Sequence, residues 1–169
     1  LYRRWIETSR FVLLSTVGPE GTDASPRGDS DEAVRLVDPK TVWLPDWRGN
    51  NRLDSLKNIV RDGRVSLLFM VPGSDNVVRI NGSAVLTADG EITGQFQRQG
   101  KLPQTVVVIT VGEIYFQCAK ALMRSRLWTS RDESAALPTA GEFLKEGMPG
   151  LDARAYDDNY ETRAKEQLW

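Results

Sequence analysis

An antiparallel β-barrel or sandwich with a few flanking helices is the fold class this sequence predicts. Three observations carry it. Six or seven short runs rich in β-branched and aromatic residues follow one another closely, Gly, Pro, Asp and Asn punctuate the gaps, and few helical patterns intervene. That pattern disfavours a doubly wound α/β fold. At 169 residues the chain suits one domain with an appended arm, divided as 1–130 and 131–169.

Taken in order, residues 1–10 (LYRRWIETSR) put Leu1, Trp5 and Ile6 at helical spacing, as in a short docking helix. Phe11 to Val17 reads as a strand, and "GPEGTD" as the hairpin turn after it. The returning strand carries "ASPRGD", where Pro26 and Gly28 mark an edge or a bulge. Two short strands flank the "DPK" turn, at 34–37 and 41–44. A helix follows from 52 to about 62, closed by Gly63. "VSLLFMV" is the most apolar strand, and "PGSDN" turns it into another at 77–86. Residues 91–100 suggest a short helix. "TVVVITVGEIYFQ" is a long strand with Gly112 as a candidate bulge. A short basic helix at 119–127 precedes a polar arm with two weak helical segments, "LPTAGEFLKEG" and "DDNYETRAKEQLW".

Composition limits what the chain can do. It is 40% hydrophobic and 27% charged, enough for a packed core. The formal charge of −1 removes the bulk argument for nucleic acid or an anionic membrane, so any anion must be held by a local cluster. With Cys118 as the single cysteine, no intrachain disulfide forms, which fits a reducing, cytoplasmic setting. No apolar run reaches the roughly 18 residues of a membrane span. No signal peptide is visible, and since the chain opens on Leu1 a short native N-terminus is expected before it. The chain has no histidine. That excludes His-ligated metals and the Ser-His-Asp and Cys-His nucleophilic systems.

The chemistry concentrates at "LPDWRGNNRLDSLKNI". Asn50 or Asn51 suits an N-cap, and Asp54 suits the positive end of the helix dipole. Leu53, Leu56, Ile59 and Val60 form one apolar stripe. Arg52 and Ser55, three apart, project from one side of the first turn, while Gly49 permits close backbone approach. Such a mouth can hold a phosphate. The alternative is that Asn caps the helix, the arginines pair with Asp46 or Asp54, and no anion binds. Two further basic clusters favour a site: "SPRGD", with Arg27, and "CAKALMRSRLW", with Lys120, Arg124 and Arg126. Cys118 reads as a small buried residue rather than a nucleophile. Trp43 reads as core and Trp47 as rim. Asp29, Asp31 and Glu32 read as a solvated loop rather than a metal site.

In "LLSTVGPEGTDASPRGD", "WLPDWRGNNRLDSLKNI", "RVSLLFMVPG", "RINGSAVLT" and "YFQCAKALMRSRLW", the sequence resembles the FMN-binding split-barrel flavoproteins related to pyridoxamine 5′-phosphate oxidase. It is most similar to their bacterial PPOX-class branch. These motifs span about residues 10–128. The resemblance implies a six-stranded antiparallel split barrel that forms a homodimer, with FMN at the subunit interface. By position it implies that Ser25, Pro26, Arg27 and Gly28 flank the flavin, with Pro45, Asp46, Asn50 and Asn51 alongside. Arg52 and Ser55 would hold the phosphate. The segment with Cys118, Lys120, Arg124, Ser125 and Trp128 would come from the partner subunit, Trp128 either stacking on the flavin or packing the interface. The oxidase's Arg and His residues for substrate phosphate have no counterpart here, so oxidation of pyridoxamine phosphate is not expected.

The implied activity is FMN-dependent oxidoreduction of a small molecule. Hydride would pass at flavin N5, with Lys120 or Arg27 stabilising the reduced ring, and no side chain is needed as acid or base. Two other readings stand beside it: a flavin-binding module that stores, senses or shuttles the cofactor, and a reductase of the same fold using deazaflavin F420. Haem is disfavoured by the lack of histidine.

Overall fold

The computed structural model describes residues 1–49 and 52–168. The described chain divides into two units, 1–128 and 129–169. In the first unit a helix, α1 (Tyr2–Thr8), leads into β1 (Phe11–Gly18) and β2 (Gly21–Gly28). Then come β3 (Arg35–Asp38), β4 (Thr41–Asp46), α2 (Asp54–Arg61), β5 (Arg64–Met70) and β6 (Val77–Thr87). A single turn, α3 (Gly90–Thr93), precedes β7 (Thr105–Gln117), and α4 (Lys120–Ser125) ends the unit.

The seven strands form one sheet in the order β2-β1-β5-β6-β7-β4-β3, and every pairing is antiparallel. The expected antiparallel, mainly β class holds. The strands number seven, within the six or seven strand-like runs of the sequence and one more than the resemblance implies, with β3 of the "DPK" hairpin at the outer edge.

Strand order alone leaves the sheet open, with β2 and β3 at its edges. In a flat sheet β2 and β4 would lie five strand spacings apart, roughly 24 Å. Yet the Arg27 guanidinium on β2 donates to the Asp46 carboxylate on β4 at 2.5 Å. The sheet therefore rolls on itself, and side chains rather than a backbone ladder span the gap. Strand twist supplies the curvature. β7 adds to it with a bulge: Asn81 pairs with Glu113 and Gly82 with Val111, leaving Gly112 as the extra residue. Pro26 sits on the edge strand β2, in unbroken register with β1, so the edge reading holds and the bulge reading of "SPRGD" does not.

Inside the roll, Val12, Leu14, Leu44, Leu67, Phe69, Ile80, Val107 and Ile109 are at most 1% exposed. Along β1 and β5 the buried residues alternate with less buried neighbours, the period of two expected of a one-sided core, whereas β4, β6 and β7 also bury adjacent pairs such as Val106 and Val107. Ile6, with Trp5 partly buried beside it, brings α1 onto this core as its docking-helix spacing predicts, whereas Leu1, expected on the same face, is exposed.

Helix α2 closes one end, and its buried face differs from the expected stripe. Ile59 is buried and Leu56 half-buried, but Leu53 is 49% and Val60 73% exposed. Ser55 and Asn58 take their places on the buried side. The Asn58 amide donates to the Thr16 hydroxyl of β1 at 3.1 Å, so two buried polar groups satisfy each other. The helix begins at Asp54, two residues later than expected, and Leu53 at its N-cap offers no side-chain cap. Asn50 and Asn51, the expected caps, lie outside the described residues.

Where α2 passes into β5, Asp62 accepts from the Arg64 side chain at 2.6 and 2.8 Å and from its backbone N–H at 3.1 Å. These bonds hold the Asp62 carboxyl down at about 2, against 3.8 ordinarily. A carboxyl with a depressed folded pKa stabilises the fold above its unfolded pKa and loses that contribution as pH falls through the folded value. Asp62→Asn should therefore cost stability at pH 6 and very little at pH 2, by urea denaturation at both pH values. An equal cost at both would assign the effect to packing.

In the second unit, Thr139 and Glu142 form a reciprocal capping box at the start of α5 (Ala140–Gly147). The Gly141 N–H donates to Asp157 of α6 (Ala153–Asp158) at 2.8 Å. Arg163 of α7 (Tyr160–Glu166) lies 4.3 Å from the centre of the Tyr156 ring. Three short α-helices thus form here where the sequence suggested two helical segments, with Asn159 parting the last two. Among the described residues no helix is long and apolar enough to cross a membrane.

Candidate functional site

The roll creates a polar seam where β2 faces β4 and the first turn of α2. Strand periodicity sends Asp23, Ser25 and Arg27 to the same face of β2, and all three are half-buried while their neighbours are exposed. From Asp23 to Arg27 the strand runs about 13 Å. Each end of this row is anchored across the gap. At one end, Ser55 of α2, only 4% exposed, donates its hydroxyl to the Asp23 carboxylate. At the other, Arg27 and Asp46 form their ion pair with each side chain 18% exposed.

Two donors at the Arg27 end have no partner. The Arg27 Nε is buried without a hydrogen bond. So is the hydroxyl of Thr105, which stands opposite Asp46 in the β4–β7 register. Unpaired buried polar groups are costly, and both donors are left able to meet an acceptor. Pro45, just before Asp46, is buried.

The expected phosphate residues are differently engaged. Arg52 donates to Asp54 at 3.0 Å, and the Ser55 hydroxyl is taken by Asp23. The structure therefore brings Ser25, Arg27, Asp46 and Ser55 to one seam but spends the serine's only donor within the chain. The third cluster is on the surface: Lys120, Arg124 and Ser125 are exposed, and the Ser125 hydroxyl donates to the Leu122 carbonyl at 2.9 Å. The Trp128 indole N–H donates to the Ser74 carbonyl at 2.8 Å, holding that ring to the β5–β6 turn. Cys118 is exposed, contrary to its reading as a buried residue, because the outer end of β7 runs clear of the core.

Trp43, expected in the core, is half-buried and tilts against Phe96 at 6.4 Å. Trp47 is half-buried beside the seam, in keeping with a rim position. The Asp29–Glu32 segment borders an open groove of about 620 Å³. Its carboxylates meet arginines there: Arg98 reaches Asp29 and Asp31, and Arg35 reaches Glu32. Among the described residues no cluster of carboxylates or cysteine could hold a metal.

Sequence reasoning missed Asp23, Asn58, Thr16 and Thr105. Only Asp23 carried a usable signal, being two residues before Ser25 and four before Arg27 on one strand face.

The seven-stranded antiparallel sheet thus leaves a row of polar groups between β2, β4 and α2. Residues 1–118 match the pyridoxamine 5′-phosphate oxidase family model, and the chain belongs to that family. Solved structures with the same fold include HupZ of Group A Streptococcus, 20% identical, covering 69% of this chain and 93% of that one with a TM-score of 0.55. General Stress Protein 26 from Bacillus anthracis is 16% identical, with 68% and 88% covered and a TM-score of 0.53. An FMN-binding protein from Syntrophomonas wolfei is 13% identical, with 69% and 88% covered and a TM-score of 0.51. No curated protein matches the sequence.

Proposed function

We propose that the chain binds a flavin, FMN foremost, along the seam and serves as a flavin-dependent oxidoreductase for a small molecule. The observation that carries the proposal is the Arg27 Nε–H, buried on the inner face of β2 with no partner. A flavin ring edge presents carbonyl and ring-nitrogen acceptors of the kind this donor lacks. Family membership and the FMN-binding neighbour support the same ligand class.

A bound flavin supplies two-electron chemistry at its N5. The chain's own part is to bind and orient it. Arg27, fixed by Asp46, places a positive charge toward the ring edge where negative charge accumulates on reduction. The Thr105 hydroxyl offers a second donor beside it. Pro45 gives a rigid, buried wall. No proton need pass through a side chain at hydride transfer, so the lack of histidine does not stand in the way. In the proposed assembly a second copy completes the site with Lys120, Arg124 and Trp128, and Cys118 and Ser125 come with that segment. Asn50 and Asn51 would lie along the flavin from the loop before α2.

Titration of the purified protein with FMN, followed by flavin fluorescence, should show saturable quenching at one site per chain. No binding of either FMN or riboflavin would sink the proposal. Deazaflavin F420 in the same assay separates the related reading, and reduction of the bound flavin by NADPH or NADH separates an oxidoreductase from a storage module.

A further inference from the structure

We infer that Arg10 binds the carboxylate of a small organic acid, in the groove at the start of β1 and the end of β2. The site stands on its own geometry, and its ligand's role as the flavin's reaction partner rests on the flavin reading above. On the inner face Val12 of β1 stands opposite Arg27 of β2, and the backbone carries that register beyond the strand ends. The Asp29 N–H donates to the Arg10 carbonyl at 3.1 Å, which sets Arg10 and Asp29 opposite each other. Residues opposed in this way share one face of an antiparallel pair, and opposite charges there attract. These two do not pair. The Asp29 carboxylate, its side chain 3% exposed, accepts instead from the Arg98 Nε–H at 3.2 Å.

A tight turn holds Arg98 in that place. Arg98 and Lys101 exchange backbone hydrogen bonds at 2.9 and 2.8 Å about Gln99 and Gly100, both with positive φ. Arg98 also reaches Asp31 at 3.5 Å. The other acids along the groove are matched too, Glu7 with Arg3 and Glu32 with Arg35. Arg10 is left exposed on the groove wall with no side-chain partner among the described residues. A guanidinium fork fits a carboxylate with two parallel hydrogen bonds. Glu7, Asp31 and Glu32 nearby weigh against a doubly charged phosphate, so the fitting ligand carries a single negative charge. A groove of about 620 Å³ has room for such a molecule. Asp29 is two residues, about 7 Å, along the strand from Arg27, so a ligand held here borders the Arg27 end of the seam.

The test is titration of the full chain with acetate, lactate and benzoate, followed by backbone amide chemical shifts. At least one acid should give saturable shifts at Thr8, Ser30 and Arg98. The uncharged amides of the three acids should give none, and inorganic phosphate should bind roughly tenfold more weakly than the best acid. Arg10→Gln should weaken that acid about tenfold at an unchanged melting temperature, because the lost guanidinium has no partner within the chain. Arg98→Gln should weaken it as well, since Asp29 is then free to pair with Arg10. Adding Asp29→Asn should restore the affinity, because the asparagine leaves Arg10 unpaired again. Shifts with none of the acids, equal affinity in Arg10→Gln, or phosphate binding as tightly as the acids would overturn the site and leave the flavin reading intact. Saturation by an acid in a chain that binds neither FMN nor riboflavin would keep the site and overturn its ligand's role as the flavin's partner.

Discussion

Gly82→Ala should lower stability by about 3 kcal/mol, the largest loss expected of a single methyl group in this chain. Gly82 lies at the centre of β6, beside the bulge that Gly112 makes in β7. The bulge drives the Thr110 carbonyl toward Gly82, so a Cβ there would overlap that oxygen. It would also lie 3.1 Å from the Thr110 carbonyl carbon and 3.2 Å from the Gly112 nitrogen. All three atoms are backbone in an interior strand, and none can swing aside. Gly18 makes a useful contrast, since a Cβ there meets the side chain of Asn58, which can turn away if it gives up Thr16. Gly18→Ala should cost less, about the strength of that hydrogen bond, or ~1 kcal/mol. Urea denaturation of both variants measures the difference. A Gly82→Ala loss under ~1 kcal/mol would mean that β6 and β7 separate easily enough to admit a methyl group.

Arg27→Ala should weaken flavin binding by about 30- to 150-fold, from the loss of charge-assisted hydrogen bonds worth roughly 2–3 kcal/mol. The same factor is expected for FMN and riboflavin, because Arg27 acts at the ring end of the row. The variant also strands Asp46 at a half-buried position, so a modest stability loss should accompany it. Arg27→Lys separates the two effects. A lysine can still pair with Asp46, but it has a single nitrogen in place of the guanidinium fork and no Nε donor. Stability should recover while affinity does not. If Arg27→Lys binds flavin as tightly as the wild type, the buried Nε is not the group that meets the ligand.

Arg27 variants should thus shift affinity for FMN and riboflavin together, whereas a chain that met the flavin only through the surface segment at 118–128 would not respond to them.

Much of the barrel is legible along the chain because its causes are local. The alternation in "FVLLSTV", the apolar density of "VSLLFMV" and the length of "TVVVITVGEIYFQ" each report one-sided or deep burial through neighbouring residues. Turn glycines and prolines report the connections in the same way, and Gly112 announces the bulge. The motif "SPRGD" likewise marks Arg27, since a basic residue on an edge strand is conspicuous in a nearly neutral chain.

What the sequence alone determined is therefore the strand pattern, the antiparallel class and the candidate basic clusters. Only the tertiary structure decided which groups those clusters meet. Asp23 and Ser55 are 32 residues apart, and Arg27 and Asp46 are 19 apart. Each pair depends on how far the sheet rolls, a sum of twists over several strands that no local window contains. The reassignment of α2 has the same origin. Its apolar residues suggested one stripe, but the wall offered by β1 and β2 carries Thr16 and Asp23, so Ser55 and Asn58 turn inward to pair with them. A buried hydrogen bond outweighs an exposed leucine or valine at the edge of a helix, because an unpaired polar group costs more than half-buried apolar surface returns.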